Sequence, residues 1–259
     1  MTESFETYGR VVDLIKASTS YERIAPMYEQ IRGGEKRASA FASSLLSWIE
    51  DAKVVLDVGV GTGIIASLIA SAGHAVLGVD ISAGMLRQAA DRIQQRVALA
   101  DAVSLPIRAN SVDAAIFMWS LHHVGDPTAA LREARRAVRP DGTVIVVSAT
   151  PEQIVDDIDV LFRRLDVLMR PREPDWIQRS AERAGLRLTA VDSCESESIR
   201  SPLEFVQQIE DRLYAHLWDV DSQRWTDVVE PVIDGLRFLE APERKRPAVF
   251  RAPIFIFNA

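Results

Sequence analysis

Short apolar runs alternate with stretches of helical spacing from residue 53 onward. The first run, Lys53–Val58, is nearly all apolar and ends in a glycine cluster, which is typical of a strand buried on both faces. Apolar positions at helical spacing follow over Thr62–Ala72, and Gly73 marks the end of that helix. The alternation continues with predicted strands Ala75–Val79, Val97–Ala100, Val112–Met118 and Thr143–Ser148 and predicted helices Ala83–Ile93 and Pro127–Val138. This order predicts an α/β fold with a parallel sheet and helices on both of its faces.

The pattern changes after Pro151, where longer amphipathic stretches separate two further strands. The predicted elements are helices Glu152–Met169, Asp175–Ala184, Pro202–Leu217 and Val228–Leu239 and strands Leu186–Val191 and Ala248–Phe257. Pro253 suits an edge strand or a bulge better than a central strand. The sequence contains no repeat and no low-complexity linker, so we expect residues 1–259 to form a single domain. Residues 1–50 are expected to form an N-terminal helical cap, 51–150 the core, and 151–259 the rest of the sheet with inserted helices.

Composition and charge narrow the class of protein. Apolar residues make up 47% of the chain and charged residues 26%, as in ordinary globular proteins. The net charge of −7 argues against a nucleic-acid partner. The single cysteine, Cys194, excludes an internal disulfide and fits a reducing compartment, so we expect a cytoplasmic protein. No apolar run reaches the length of a membrane span, and no ligand pattern predicts a metal site.

The strongest local motif is the glycine-rich segment that follows the first strand, Asp57–Gly63. Gly59 and Gly61 allow a tight turn and a close backbone approach to a ligand, and the helix start beyond them favours an anionic group. A dinucleotide fingerprint would need a third glycine at position 64, where this chain has Ile64. A phosphate-binding loop of the Walker type would need a Gly-Lys-Ser/Thr sequence, which is absent.

The ordered segments VVLDVGVGTG, GVDIS, ADAVSLP, SVDAAIFMWSLHHV and LREARRAVRPDGTVIVV resemble class I S-adenosylmethionine-dependent methyltransferases. The resemblance is closest to the small-molecule branch that includes the ubiquinone and menaquinone methyltransferases, and it covers about residues 54–148. It implies a Rossmann-like, seven-stranded, mostly parallel sheet in which residues 51–150 bind the cofactor. The N-terminal and inserted helices would then cap the site and choose the methyl acceptor.

The resemblance also implies a role for each motif residue toward the methionine and ribose parts of S-adenosylmethionine. The loop that contains Asp57, Gly59, Gly61 and Thr62 would cradle the methionine part. Asp80, followed by Ile81 at the end of the second strand, would accept hydrogen bonds from the ribose hydroxyls.

Further roles concern the adenine and the reacting methyl group. Met85 would lie against the adenine face, although core packing is an open alternative. Asp101 and the backbone N–H of Ala102 would bind the adenine amino group. Trp119 would line the cofactor near its methyl group or shape the acceptor pocket. Tyr21, in a segment that resembles the covering helix of this branch, would contact the methionine carboxylate.

Candidate catalytic residues follow the fourth strand, where His122 and His123 lie close to the expected position of the methyl group. An imidazole could remove a proton from a phenol, hydroxyl or ammonium acceptor. Packing and orientation are the alternative for this pair, and His216 is a rival base.

The leading hypothesis is methylation of O, N or C of a small, largely apolar or aromatic metabolite, with specialised natural products among the candidates. Methylation of tRNA or of a protein is one alternative, and a non-catalytic S-adenosylmethionine-binding protein is another. Analogy with the family leaves a homodimer open.

Overall fold

The computed structural model describes residues 21–22, 24–25, 28–31, 33–148, 156–169 and 172–259. The described part contains one seven-stranded sheet, and its strands in chain order are β1 Val54–Val58, β2 Ala75–Asp80, β3 Val97–Leu99, β4 Val112–Met118, β5 Val138–Val147, β6 Arg187–Arg200 and β7 Arg246–Asn258. Their spatial order is β3-β2-β1-β4-β5-β7-β6. The first five strands pair in parallel, and β7 runs antiparallel to β5. The predicted α/β fold with a seven-stranded, mostly parallel sheet is therefore confirmed.

Helices connect these strands. The α-helices are α1 Tyr28–Ile31, α2 Gly34–Leu46, α3 Ile64–Ser71, α4 Ala83–Arg92, α5 Pro127–Ala137, α6 Asp157–Phe162, α7 Trp176–Arg183, α8 Pro202–Glu210, α9 Ser222–Arg224 and α10 Glu230–Arg237. Short 3-10 helices span Leu121–His123, Arg163–Leu168 and Ala215–Leu217, and a π-helical turn spans Trp225–Val229. Side-chain caps fix several helix starts: Ser82 accepts a hydrogen bond from the backbone of Met85, and Asp126 accepts one from Ala129.

The chain divides into two compact units. The larger comprises residues 1–150, 175–194 and 252–259, and the smaller comprises 151–174 and 195–251. In the larger unit, β1 and β4 are buried along most of their length, and β5 is buried over its last four residues; these strands form the centre of the hydrophobic core. The smaller unit has a core of its own, built around Ile158, Leu165, Ile209, Leu217 and Leu236. That residues 1–259 form a single domain stays a prediction.

Three details of the sheet differ from the sequence-based prediction. Residues 140–142 were expected to separate a helix from a strand, but they form a bulge inside β5, whose partners on β4 shift between Val112 and Ala114. Strand β6 extends nine residues beyond the predicted end, to Arg200. The expectation of an edge strand at Pro253 is wrong, because β7 lies between β5 and β6. The register with β5 ends at Ile254, so that ladder does not need the N–H that proline lacks.

Helices in the smaller unit are shorter than the periodicity predicts. The helix predicted from Pro202 ends at Glu210, and Arg212 adopts a left-handed backbone with φ of 51°. The helix predicted over 152–169 begins within a stretch that lies outside the described residues. Its described part changes from α-helix to 3-10 helix at Arg163. The apolar residues keep their helical spacing across these helix ends and changes of helix type, so the hydrophobic pattern alone does not locate them.

Candidate functional site

The glycine loop between β1 and α3 has backbone angles that residues other than glycine adopt only with strain. Gly59, Gly61 and Gly63 have φ values of 79°, 55° and 77°. A Cβ on Gly63 would come within 2.8 Å of the Ala89 backbone, so this glycine brings α3 close to α4. A Cβ on Gly61 would meet no atom of the described residues within 4 Å. Gly61 therefore borders open space, and a ligand that approached its backbone would occupy the place of the missing side chain.

Two buried polar side chains at this loop carry oxygens with no partner among the residues that the structure describes. Asp57 and Thr62 are each 2% exposed, and the orphaned atoms are Asp57 Oδ1 and Thr62 Oγ1. Burial, followed by the charge of nearby Asp80, raises the pKa of Asp57 to about 7. Because a buried polar atom without a hydrogen bond is costly, this pair fits a site whose ligand brings polar groups.

Asp80, at the end of β2, binds the same loop through hydrogen bonds. Its Oδ2 accepts a hydrogen bond from the Gly61 backbone N–H at 2.9 Å, and its Oδ1 accepts one from the Ser82 N–H at 2.9 Å. Burial raises the pKa of Asp80, and the backbone donors of Ser82, Gly61 and Ile81 oppose that shift. The carboxylate thus holds the glycine loop against the start of α4.

A small cavity of about 60 Å³ opens beside the loop. Its lining comes from the N-terminal helices, the glycine loop and the end of β4: Tyr28, Glu29, Gly34, Arg37, Ala38, Asp57, Gly59, Val60, Gly61, Thr62, Ile64, Ile65, Met118 and Trp119. Five residues named from the sequence are among them, namely Asp57, Gly59, Gly61, Thr62 and Trp119. The orphaned oxygens and the open space at Gly61 fit the methionine part of S-adenosylmethionine, so the donor set and the expected cofactor agree.

The remaining candidates lie outside the lining of this pocket, and their roles stay predictions. Met85 is 1% exposed on α4 and packs in the interior. Asp101 and Ala102 follow β3, where Asp101 Oδ1 accepts a hydrogen bond from the Val103 N–H at 3.2 Å. Ile81 lies between Asp80 and the cap of α4 and is partly exposed.

The two candidate catalytic histidines occupy the 3-10 turn after β4. The ring centroids of His122 and His123 are 3.8 Å apart, and His123 is exposed. Tyr21 packs edge-on against His123, with centroids 5.7 Å apart. Tyr21, proposed from the sequence as a carboxylate contact, therefore lies against this histidine rather than in the lining of the pocket. In the smaller unit, His216 packs against Tyr214 and Phe162.

An N-terminal strap, defined here as the described residues 21–22, 24–25 and 28–29, lies along α4. At its start, the Glu22 carboxylate accepts hydrogen bonds from the Gly84 N–H and from Arg87 Nη2. These donors hold the pKa of Glu22 below its ordinary value, the Gly84 N–H contributing most. A Cβ on Gly84 would overlap this carboxylate, so the glycine makes room for the strap.

Side chains one and two turns further along α4 also bind the strap. Gln88 Nε2 donates to the Ala25 carbonyl at 2.8 Å. Arg92 forms an ion pair with Glu29 and also donates to the Thr62 carbonyl at 2.9 Å. Because Glu29 and Thr62 both line the pocket, Arg92 ties the strap to the glycine loop.

Sequence reasoning missed several lining residues, Arg37 foremost. The Arg37 guanidinium lies over the Trp119 ring at 4.1 Å, and Phe41 meets that ring edge-on at 4.6 Å. Trp119 itself has a left-handed backbone with φ of 52°. The spacing of Arg37 and Phe41 is one helical turn, which could have indicated a shared face but not the tryptophan that this face meets.

Within the described ranges, no group of three or more His, Cys, Asp or Glu side chains is arranged to hold a metal ion. None of the helices in the described part is long and apolar enough to cross a membrane.

The sheet order, the glycine loop after β1 and the acid at the end of β2 together define a class I methyltransferase fold. Residues 56–146 match the family described as "Methyltransferase domain". A demethylmenaquinone methyltransferase from Corynebacterium kroppenstedtii is 38% identical over 92 residues, which are 36% of this chain and 40% of that protein. A tRNA (carboxymethyluridine(34)-5-O)-methyltransferase from Arabidopsis thaliana is 35% identical over 51% of this chain and 32% of its own length.

Solved structures support the fold alone. The cyclase SpnF superposes with a TM-score of 0.62 at 21% identity, over 93% of this chain and 94% of that chain. The alignments with these two relatives span 40% and 32% of the relatives' own lengths, and the alignment with a ubiquinone/menaquinone methyltransferase from Syntrophotalea carbinolica spans 58%. The comparisons therefore assign a methyltransferase domain to residues 56–146, and this part of the chain is similar to the ubiquinone and menaquinone methyltransferases.

Proposed function

We propose that this protein transfers the methyl group of S-adenosylmethionine to O, N or C of a small, largely apolar or aromatic metabolite. The observation that carries the proposal is the pocket at the glycine loop, where Asp57 and Thr62 present buried, unpartnered oxygens among the described residues. The name of the relative called a demethylmenaquinone methyltransferase supports the small-molecule class. Specialised natural products and a cytoplasmic location are part of this proposal, the latter supported by the single cysteine.

Each group of residues at the site has its own role in the proposed methyl transfer. Bound S-adenosylmethionine supplies a methyl group that its sulfonium already activates. Asp57, Thr62 and the loop backbone hold the cofactor, and the N-terminal strap excludes water from the pocket that it borders. His122 or His123 accepts a proton at an imidazole nitrogen when the acceptor must lose one. A base is optional for this chemistry, so packing of the two rings stays the alternative.

A second candidate is methylation of tRNA, which the name of the Arabidopsis relative favours. The net charge of −7 weighs against it, because nucleic-acid binding relies on phosphate neutralisation. A protein that binds the cofactor without transferring its methyl group is the third candidate. A homodimer remains an analogy with the family.

The test is transfer of label from methyl-labelled S-adenosylmethionine. The protein is incubated in parallel with demethylquinones and simple phenols, with bulk tRNA, and with a denatured protein mixture. We expect label in the organic extract of the small-molecule reactions. Label that precipitates with the tRNA would reverse the order of the candidates, and binding without transfer to any acceptor class would favour the non-catalytic protein.

A further inference from the structure

The N-terminal strap meets one face of α4 at intervals of one helical turn. Positions 84, 88 and 92 of α4 are four residues apart and therefore lie on the same face of the helix. The strap also buries an apolar side chain, since Ile24 is 1% exposed. The contacting pairs are Glu22 with Gly84, Ala25 with Gln88, and Glu29 with Arg92. The strap thus packs along α4 in a matched register.

Of these described contacts, the one that Arg92 makes also reaches the glycine loop. Its guanidinium forms an ion pair with the Glu29 carboxylate, and Nη1 donates to the Thr62 carbonyl at 2.9 Å. A guanidinium can hold two acceptors at once because its N–H donors point in fixed, separate directions. Glu29 and Thr62 both line the pocket, and Arg92 is not among the described lining residues. Arg92 therefore joins two walls of the pocket from outside it.

The ion pair between Arg92 and Glu29 is partly open to water. The two side chains are 33% and 28% exposed. The Arg92 guanidinium holds the pKa of Glu29 below its ordinary value, so this carboxyl is charged at neutral pH. An ion pair at such a position contributes modestly and is screened by salt. It can therefore open and re-form, as a lid over a ligand site requires.

Two glycines join the strap and its short helix α1 to α2. Gly33 and Gly34 have φ values of 88° and 56°. A Cβ on Gly34 would meet no atom of the described residues within 4 Å, so the backbone has room there. Small residues at the end of an element commonly absorb the backbone rotation of a hinge. Rotation at this junction would carry Glu29 away from the glycine loop and open the pocket.

We propose that Arg92 is a positioning residue that holds the strap closed over the bound cofactor and so sets the rate at which the cofactor leaves. This inference rests on the proposed function, because it takes S-adenosylmethionine as the ligand of the pocket. Arg92 acts through the Glu29 carboxylate and the Thr62 carbonyl. It therefore governs how long the cofactor stays bound, whereas the lining residues recognise it.

Release of the demethylated product, S-adenosylhomocysteine, tests the proposal without a methyl acceptor. This ligand carries no net charge at neutral pH, so added salt acts on the ion pair more than on the charge of the ligand. Stopped-flow binding can be followed by tryptophan fluorescence, because Trp119 lines the pocket, and it gives the association and release rates. Arg92→Met removes the charge and the donors but keeps much of the apolar stem. It is expected to speed release by about five- to tenfold without slowing association.

Three readouts separate this role from general stabilisation of the fold. Arg92→Lys keeps the charge without the fork and is expected to recover part of the slow release, which keeps the test available if Arg92→Met does not fold. Between about 0.02 M and about 0.5 M salt, release should become faster in the wild type and stay nearly constant in Arg92→Met. Adding Glu29→Gln to Arg92→Met should change release by less than about twofold, because both substitutions remove the same ion pair.

Two other arginines provide the controls. Arg96→Met removes the same charge from an exposed residue four positions further on, outside the lining, and should leave release within about twofold of the wild type. Arg87→Met breaks the ion pair with Glu22 at the start of the strap, where the Arg87 side chain is 71% exposed. Its effect on release should be smaller than that of Arg92→Met, because that pair does not join the strap to the glycine loop.

Several results would overturn the inference. Release could be unchanged in Arg92→Met, or Arg87→Met could speed it equally, which would make the strap as a whole responsible. Salt dependence that persisted in Arg92→Met would show that another group is screened. Failure of the proposed function is a different result, since the wild type would then bind neither S-adenosylmethionine nor S-adenosylhomocysteine.

Discussion

The buried acid of the glycine loop makes the stability of this protein depend on pH. Asp57 is 2% exposed, and burial together with the charge of Asp80 raises its pKa from 3.8 to about 7. Below pH 3.8 the carboxyl is protonated in both the folded and the unfolded chain. Between pH 3.8 and 7 the unfolded chain has lost the proton that the folded chain keeps, so the folded state loses stability as the pH rises.

The magnitude follows from the shift of about three units, at about 1.4 kcal/mol for each unit. The full loss amounts to about 4 kcal/mol and is complete above pH 7, and about 3 kcal/mol of it falls between pH 5 and pH 8. The substitution Asp57→Asn keeps the size of the side chain and cannot ionise. The free energy of unfolding of the wild type should therefore fall by about 3 kcal/mol relative to the variant between pH 5 and pH 8.

Urea denaturation at pH 5, 6, 7 and 8 measures both proteins under the same conditions. Asp113→Asn is a suitable control. Burial raises the pKa of Asp113, but the backbone N–H groups of Val54 and Lys53 and the Arg139 guanidinium outweigh burial and hold the pKa below 3.8. The stability that this group contributes is present above pH 3.8 and is lost only as the pH falls through its folded pKa, so its difference from the wild type should stay flat from pH 5 to pH 8. A flat difference for Asp57→Asn as well would refute the argument that burial governs this carboxyl.

Three further predictions concern the loop, the strap and the candidate base. Gly61→Ala places a side chain on a left-handed backbone, so it should cost about 1–2 kcal/mol of stability and weaken cofactor binding at least about tenfold. Gly63→Ala adds a clash with the α4 backbone and should cost about 2–4 kcal/mol, measured by thermal unfolding. Equal effects of the two on stability would contradict the assigned geometry. Glu29→Gln should change the free energy of unfolding by less than about 1 kcal/mol, but it should speed cofactor release in stopped-flow experiments. An unchanged release rate would show that the strap does not influence the cofactor site. Replacing His122 and His123 by asparagine together should lower turnover by about 100-fold or more with cofactor affinity unchanged, and full turnover would eliminate a base at this turn.

The sequence was informative where a physical constraint acts on consecutive residues. A strand buried on both faces needs an unbroken apolar run, and the runs at β1 and β4 locate those strands to within one residue. The glycine loop was recognisable because its backbone angles exclude other residues. The roles of the acids Asp57 and Asp80, by contrast, came from the family resemblance.

What the sequence did not reveal depends on residues that meet only in the folded chain. Arg37 and Trp119 are 82 positions apart, and nothing in the pattern of either segment indicates that they stack. The contacts of the strap with α4 likewise join residues more than 60 positions apart. The changes from α-helix to 3-10 and π-helix in the smaller unit leave the apolar spacing intact, so periodicity could not reveal them.

The most direct test of the central claim is a calorimetric titration of the wild-type protein with S-adenosylmethionine and with its demethylated product, S-adenosylhomocysteine. The account predicts saturable binding of both at one site per chain, and loss of that binding in Gly61→Val, whose side chain would fill the space beside the loop. Binding of neither ligand by the folded wild-type protein, or binding that Gly61→Val leaves unchanged, would contradict it.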